Sequence, residues 1–422
     1  MTPETTRSPA CPVAGSMHVV PHGCSRDIHT ILSDLPGPID RVIVLDDLPV
    51  WVVTGYDNVR DVLADEHLVK DPLRLPPAVH PFRGRRYPED GYSLGGRHLI
   101  SSDAADHTRL RKISTPLLSR RAVQQWRPDI ENTTGDLLRA ILEHGAGELV
   151  GELFEPLSTT IICRVLGIPA TAEQTVLAGS RTLLGPYHPR DPQYLRASAD
   201  LQQLLTELLS ERADRPGTDT DLASAAAAAW QNGTVSLRDA LGVVRQFITA
   251  NTINTASVLA RTAVTVLSDR QLAETVASEP DSVAAVTEEL LRLQSSAPLA
   301  TWRFAPEPMT LFGARLAAGD IVLAAVDTAD HDPAVYPDPH ELIPNRAGPP
   351  HLAFGYGRHY CAGAELARLE IQAVLLALAR HAHQLELAEA PEQLPWTAMV
   401  LCHGIARVPV TAHPQEKGDS AS

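Results

Sequence analysis

The chain has 422 residues, 44% of them hydrophobic and 5% aromatic, with a formal net charge of −15. That acidity argues against nucleic acid or an anionic membrane surface as a partner. Five scattered cysteines (Cys11, Cys24, Cys163, Cys361, Cys402) read as reduced thiols, and no apolar leader or membrane-length run is present, so a cytoplasmic protein is expected.

Residues 1–26 are rich in Pro, Ser and Thr and are expected to be loose, as is the tail 413–422, leaving 27–412 as one folded domain. "RVIVLDD" and "VWVVTG" read as paired strands, and "YDNVRDVLAD" as a short helix. From Asp103 the pattern turns helical, over about 104–118, 122–144, 149–166, 171–184, 191–213, 237–268, 270–278 and 282–294. After Pro298, "MTLFG" and "DIVLAAV" restore strand signals, and 332–350 is Pro-rich and irregular. "GAELARLEIQAVLLALARHA" gives one more helix, and "AMVLCHGIARVPV" closes the chain as strand. The expectation is a single large domain, mainly α with a minor β part.

The helix predicted from Leu237 to Ser268 is capped by Ser236, with Asp239 three residues on. At 1.5 Å per residue it would run roughly 48 Å, enough to cross the domain. Its centre, "FITANTINTASV" (247–258), is crowded with Asn and Thr, which are mediocre helix formers. Bare polar groups there would be costly unless something polar faces them.

"HLAFGYGRHYCAGAELARLE" (351–370) carries the chemistry. A Gly-rich loop delivers Cys361 just ahead of an amphipathic helix, whose N-terminus should lower the thiol pKa and favour metal ligation. Gly355 and Gly357 allow a tight turn, Gly363 leaves room for something flat, and Phe354 can shield the sulfur. A buried structural cysteine is the plain alternative. A zinc site from His351, His359 and Cys361 lacks a suitable spacing, and the c-type haem motif CxxCH is absent.

The pattern Phe354-Gly355-x-Gly357-x-His359-x-Cys361-x-Gly363 resembles the haem-thiolate signature of the cytochrome P-450 family, and other segments agree from about Pro36 to Pro409. Glu289-x-x-Arg292 resembles that family's Glu-x-x-Arg pair. His107 and Arg111, four apart in "DHTRLRK", resemble the helix that reaches the haem propionates, as do Arg303 on a strand and His359 beside the thiolate. The resemblance implies a triangular-prism fold enclosing haem b between the long central helix and the Cys-loop helix, with Cys361 as the iron's axial ligand. It also implies a monooxygenase that activates dioxygen with two electrons from a ferredoxin and its reductase, acting on a small organic molecule of bacterial secondary metabolism, such as antibiotic biosynthesis. Arg109, Lys112, Arg358 and Arg368 would supply a basic face for the ferredoxin.

Two places depart from the family pattern. The central helix usually reads Ala-Gly-x-(Asp/Glu)-Thr-Thr; here the residues are Ala250, Asn251, Thr252, Ile253, Asn254 and Thr255. Ile253 cannot relay a proton, Asn254 can orient water but is no acid, and Thr255 is turned about 100° around the helix. The readings are an oxygen-inserting enzyme whose protons come from water or substrate, an enzyme adapted to coupling or ring closure without insertion, and simple drift of Asn for Thr. A non-catalytic, partner-binding relative of the fold is a separate alternative. The second departure lies in "YPDPHELIPNR", where an Arg should complete a triad with Glu289 and Arg292; Glu341 stands there, with His340 as a substitute. By resemblance, substrate contacts fall at about 75–100, at 184–193, at Leu299 to Thr301, and at Leu401 and Cys402. Arg83, Arg85, Arg86 and Arg97 in the first loop hint at an anionic or carrier-bound substrate.

Overall fold

In the computed structural model of the chain, the described residues are 17–18, 28–44, 48–79, 96–185, 190–215, 217, 220–397 and 402–413. The tail beyond 413 and most of the N-terminal stretch lie outside them. Met17–His18 does not behave as loose chain: it forms strand β1, parallel to β2 (Ile39–Val44). Between them lies the short helix α1 (Ile28–Ser33), and β2 turns back antiparallel onto β3 (Leu48–Val53), as expected for a hairpin. Helix α2 (Tyr56–Ala64) follows.

The predicted run from 104 appears as α3 (Ala104–Leu118), α4 (Arg120–Val123) and α5 (Arg127–His144), then strand β4 (Ala146–Glu148). A π-turn over Val150–Phe154 opens the next predicted helix, which continues as α6 (Glu155–Leu166). Next come α7 (Glu173–Leu183), α8 (Pro192–Asp214) and α9 (Leu222–Gln231). Helix α9, "LASAAAAAWQ", is absent from the sequence reading because a run of Ala shows no apolar–polar period. Helix α10 (Leu237–Ser268) has the predicted ends, and the Ser236 side chain accepts from Asp239 N–H as its cap.

After α11 (Arg270–Ser278) and α12 (Val283–Leu293), strand β5 (Leu299–Phe304) leads through the hairpin β6 (Met309–Leu311) and β7 (Ala314–Leu316) to β8 (Ile321–Ala325). Five strands form a sheet in the order β1-β2-β3-β8-β5, with β8 parallel to β3 and antiparallel to β5. The short helix α13 (Val326–Asp330) follows β8 directly, and α14 (Ala364–His381) follows the Cys loop. Strand β9 (Leu385–Leu387) and strand β10 (Pro409–Ala412) join β4 in a second sheet. Among the described residues no helix is long and apolar enough to cross a membrane.

Helix α10 runs through the largest hydrophobic core and packs on α6, α14 and α9. Close approaches hold it in place. A Cβ on Gly242 would meet the carbonyl of Arg97 at 2.8 Å, and one on Gly404 would meet Ser257 Cβ at 2.5 Å. The segment around Arg97 is thereby set against the N-terminal half of α10 and that around Gly404 against its polar middle.

The irregular stretch beneath the Cys loop is tied to α12 by a buried triad. Arg292 grips the Glu289 carboxylate with two bonds of 2.8 and 2.9 Å, and Arg346 Nε adds a third at 2.8 Å. The expectation of Glu341 or His340 in the third place is therefore corrected. Glu341 contributes its backbone carbonyl to Arg292 and Arg346, while the His340 ring stacks on His331. The guanidinium comes from the last residue of the same segment. Arg346→Ala is expected to lower stability by about 3 kcal/mol, the usual cost of unbalancing a buried ion pair. Glu341→Ala should cost no more than about 0.5 kcal/mol, as for an ordinary surface change; chemical unfolding of the two variants checks the contrast.

Candidate active site

Gly355 and Gly357 both have φ of +73°, the left-handed conformation that lets the Cys loop fold back on itself. Cys361 N–H donates to the Phe354 carbonyl at 2.9 Å, which aims the thiol into an enclosed cavity just before α14 begins. Gly363 also lines this cavity, and a Cβ there would meet only Cys361 Sγ at 4.0 Å, so the space above the loop is open. The Arg368 guanidinium lies 4.7 Å over the Phe354 ring and is held by Glu288 at 2.7 and 2.9 Å. Burial raises the Cys361 pKa, outweighing the N–H groups of Gly363 and Ala364 and the charges of Arg111 and Arg368. The helix terminus lowers the thiol pKa as expected, but in the protein alone burial outweighs it; metal coordination would deprotonate the thiol outright.

Four predicted cationic groups meet at one end of the cavity. His107 and Arg111 project from α3, Arg303 from β5, and His359 from the Cys loop; all four line the wall. The His107 and His359 rings meet edge to face at 4.4 Å. Arg111 donates to the Tyr360 carbonyl at 2.7 Å, and Arg303 to the carbonyls of Thr301 and Leu63 at 3.1 and 3.3 Å. Behind this wall sequence reasoning missed Lys70, which is buried with its ammonium on Thr301. The nearby Asp103 carboxylate is occupied by the backbone N–H groups of Lys70 and Asp71. Burial and neighbouring positive charge depress these groups: His107 falls to about 4, His359 to about 2, and Lys70 well below its ordinary value. His107 Nε2 is buried without a hydrogen-bond partner. This end of the cavity is short of negative charge.

Opposite the thiol, α10 presents Ala250, Asn251, Asn254 and Thr255 to the cavity. Thr252 and Ile253 take no part in the wall; the Thr252 hydroxyl is spent on the Ile248 carbonyl at 2.9 Å. Asn254 Nδ2 donates to the Ala250 carbonyl at 3.0 Å, and its Oδ1 lies 3.4 Å from Ser296 Oγ. The Thr255 hydroxyl reaches Asn251 Oδ1 at 3.4 Å, and Asn251 Nδ2 donates to the Ser158 carbonyl on α6 at 3.1 Å.

Behind Asn251 stands a second residue the sequence reading missed. Glu370 on α14 is fully buried, and burial pushes its carboxyl pKa up to about 8. Ser158 and Asn251 approach it, yet neither carboxylate oxygen makes a hydrogen bond of good geometry. Leu366, Glu370 and Val374 share one buried helix face, so an acid within an apolar stripe was the available signal.

Leu299 and Ala300 of β5 and Cys402 line the far wall, as expected, while Leu401 lies outside the described residues. Cys402 Sγ sits 3.5 Å from Ser257 Oγ, and burial pushes its pKa up to about 11. Two thiols therefore face one cavity, but only Cys361 lies on the Gly-rich loop next to Arg111 and Arg368.

Comparison with known proteins agrees with this geometry. The sequence model of the family described as Cytochrome P450 matches residues 264–403. Nocardicin C N-oxygenase of Nocardia uniformis subsp. tsuyamanensis is 32% identical over 365 residues, covering 86% of this chain and 89% of that one. The chain belongs to the cytochrome P450 family. The structure of the myxobacterial cytochrome P450 CYP267B1 in complex with myristic acid superposes with a TM-score of 0.84 at 29% identity, covering 91% of this chain and 96% of the other. CxnD, described as the cytochrome P450 enzyme for C–S bond formation in chuangxinmycin biosynthesis, also reaches 0.84, at 26% identity, covering 96% of this chain and all (100%) of its own.

As a P450 the protein is a monooxygenase whose cofactor is haem with a cysteine thiolate as axial ligand. The cavity fits that group: a thiol aims into it, and the cation-rich end with its orphaned His107 nitrogen suits two carboxylates. Glu370 adds a pH signature. The folded chain keeps this proton up to about pH 8, while the unfolded chain releases it near the ordinary 4.5. The folded state then binds more protons between those values, so stability falls as pH rises through this window. Glu370→Gln should flatten that slope and gain stability relative to wild type as pH rises from 5 to 8, as read from unfolding midpoints across the range.

Proposed function

We propose that Cys361 is the axial ligand, that His107, Arg111, Arg303 and His359 hold the haem carboxylates, and that the enzyme inserts oxygen into a small organic molecule of bacterial secondary metabolism. The observation that carries this is the single cavity with the Cys361 thiol on one wall, the polar middle of α10 on the other, and the buried cations at its end. When bound, thiolate-ligated haem supplies dioxygen activation, the thiolate's electron donation favouring O–O cleavage. The name of the nocardicin relative likewise describes oxygen transfer.

The chain's own residues supply the rest. The Arg368 guanidinium stacked on Phe354 braces the Cys loop beside the thiol, and Leu299 and Ala300 give the substrate an apolar wall. Asn254 spends one amide N–H on its own helix, which fixes the side chain so that its second N–H and its carbonyl, shared with Ser296, orient water. Ile253 carries no acid. Glu370 holds a proton at its carboxyl at neutral pH, and the Asn251 amide and Thr255 hydroxyl lead from it to the cavity. Water alongside Asn251 carries the proton from Glu370 to Thr255, since an amide orients a proton carrier but does not ionise.

A ferredoxin and its reductase are proposed as electron donors. Of the four residues expected to form a basic face, Arg109 pairs with Asp106, Arg358 with Glu66 and Arg368 with Glu288. These three pairings make the face less basic than its sequence; among the described residues Lys112 makes no ion pair. Arg97 also pairs with Asp106, while Arg83, Arg85 and Arg86 lie outside the described residues. A free small molecule, not a carrier-bound one, is the proposed substrate.

A second reading, oxidation without oxygen insertion, draws on Ile253 lying off the cavity wall and on the similarity to the C–S bond-forming CxnD. Turnover under ¹⁸O-labelled dioxygen separates the two, because label in the product requires insertion and an unlabelled, coupled product requires the second. Cys361→Ser should abolish the red-shifted Soret band of the reduced, CO-treated enzyme, whereas Cys402→Ser should keep it; the reverse result would reassign the ligand. Glu370→Gln should leave that band intact but cut product formed per electron roughly tenfold, the lower range for an acid–base group, with the electrons appearing as peroxide.

A further inference from the structure

On the far side of α13 from the haem cavity, three imidazoles and a carboxylate converge. His29 comes from α1, Asp327 from α13, and His331 from the residue that ends α13. One ligating atom from each of these three lies within 4.8 Å of the others. His29 Nδ1 touches Asp327 Oδ2 directly. The rings of His29 and His331 are 4.5 Å apart, and His340 closes the group at 5.2 Å from His331 and 5.4 Å from His29. The three histidines face a surface cavity whose rim carries Ser33, Thr54 and Thr328.

We propose that this cluster is a divalent transition-metal site, with His29, Asp327 and His331 as ligands and zinc as the favoured ion. Two imidazoles and one carboxylate form a common donor set for zinc, and the fourth position falls to water or to His340. Two features go beyond what an ion pair needs. His331 Nδ1 donates to the Asp327 carbonyl at 2.8 Å, which fixes its tautomer and leaves Nε2 with a lone pair. Ligating histidines are usually anchored in this way. Secondly, an ion pair between His29 and Asp327 requires one imidazole, whereas this structure sets two at the carboxylate with the His340 ring beside them, next to a cavity that gives an ion a way in.

The location gives the ion a use. Asp327 N–H donates to the Pro298 carbonyl at 3.1 Å, and its neighbour Val326 lines the haem cavity together with Leu299 and Ala300. A bound ion would clamp α1 onto α13 and so stiffen the back of the substrate wall. The established chemistry of the family does not require it, and its failure would leave the reading of Cys361 untouched.

The test uses tag-free, haem-loaded enzyme, chelator-treated and then dialysed against zinc, with zinc counted per haem iron. One zinc per iron is expected. His29→Gln and His331→Gln should each weaken binding roughly tenfold or more, since even outer partners of a metal ligand carry that much, while the CO spectrum stays unchanged. His340→Gln should weaken it less if water is the fourth ligand and comparably if His340 ligates. Should a variant fail to fold, zinc-edge X-ray absorption on the wild type decides, with nitrogen and oxygen neighbours at about 2.0–2.1 Å expected. Wild type that takes up no stoichiometric zinc, variants that bind as wild type does, or a sulfur-ligated zinc would each overturn the proposal.

Discussion

The carboxylate of Glu289 is buried, and burial of a charge is tolerable only where partners replace the lost water. Arg292 and Arg346 do so from two directions, and the backbone N–H of Ile343 adds another bond at 3.1 Å. Both guanidiniums spend their remaining N–H groups on carbonyls of the irregular stretch: Arg292 on Asp330, Pro339 and Glu341, and Arg346 on Pro337, Asp338 and Glu341. A segment with almost no regular structure is thereby fixed by side chains. It ends in the loop that presents Cys361, so the position of the thiol depends on this one buried anion. The Asp330 carboxyl also ties this stretch down by accepting from Leu352 N–H at 2.7 Å, but with fewer partners burial pushes its pKa well up.

The cation-rich end of the cavity shows the opposite imbalance. An acidic protein has gathered Lys70, Arg303, Arg111, His107 and His359 at and behind one end of the cavity wall, while the nearby Asp103 is committed to backbone N–H groups and to Arg74. Left alone, these groups are costly to charge: burial, and then neighbouring positive charge, depresses both histidine pKa values, so the imidazoles stay neutral at pH 7 beside the charged Arg111 and Arg303. A cofactor bearing two carboxylates turns the liability into binding energy. This is why the haem assignment rests on the charge of the whole wall and not on the cysteine motif alone.

The elements most legible in the sequence were those whose pattern is local. The ends of α3, α10 and α11 follow from apolar periodicity and, for α10, from the cap Ser236. Cys361 and the four cations of the wall were legible because a motif or an i, i+4 spacing carried them. What escaped depends on distance across the fold. Arg346 pairs with a residue 57 positions away, so its partner could not be read from neighbours, and attention fell on the closer His340 and Glu341. Lys70 and Glu370 look like ordinary surface charges until burial is known. The expected basic face is partly neutralised for the converse reason: the places of Arg109, Arg358 and Arg368 in the sequence say nothing of the acids that fold against them.

Those escaped residues bear on the oddity of α10. The helix lacks an acid at Ile253, and its neighbour Thr252 is turned away and satisfied within the helix. An acid does stand nearby, displaced to the helix that packs behind. An aspartate on the cavity face would be hydrated and ionised near neutral pH, whereas Glu370, walled in by α6, α10 and α14, keeps its proton to about pH 8. A glycine at position 251 would leave a gap between that acid and the cavity. Asparagine there bridges it with an amide that touches Ser158 on one side and Thr255 on the other. The replacements at 251 and 253 thus differ in place: Asn251 lies between the buried Glu370 carboxyl and the cavity, while Ile253 stands off the cavity wall.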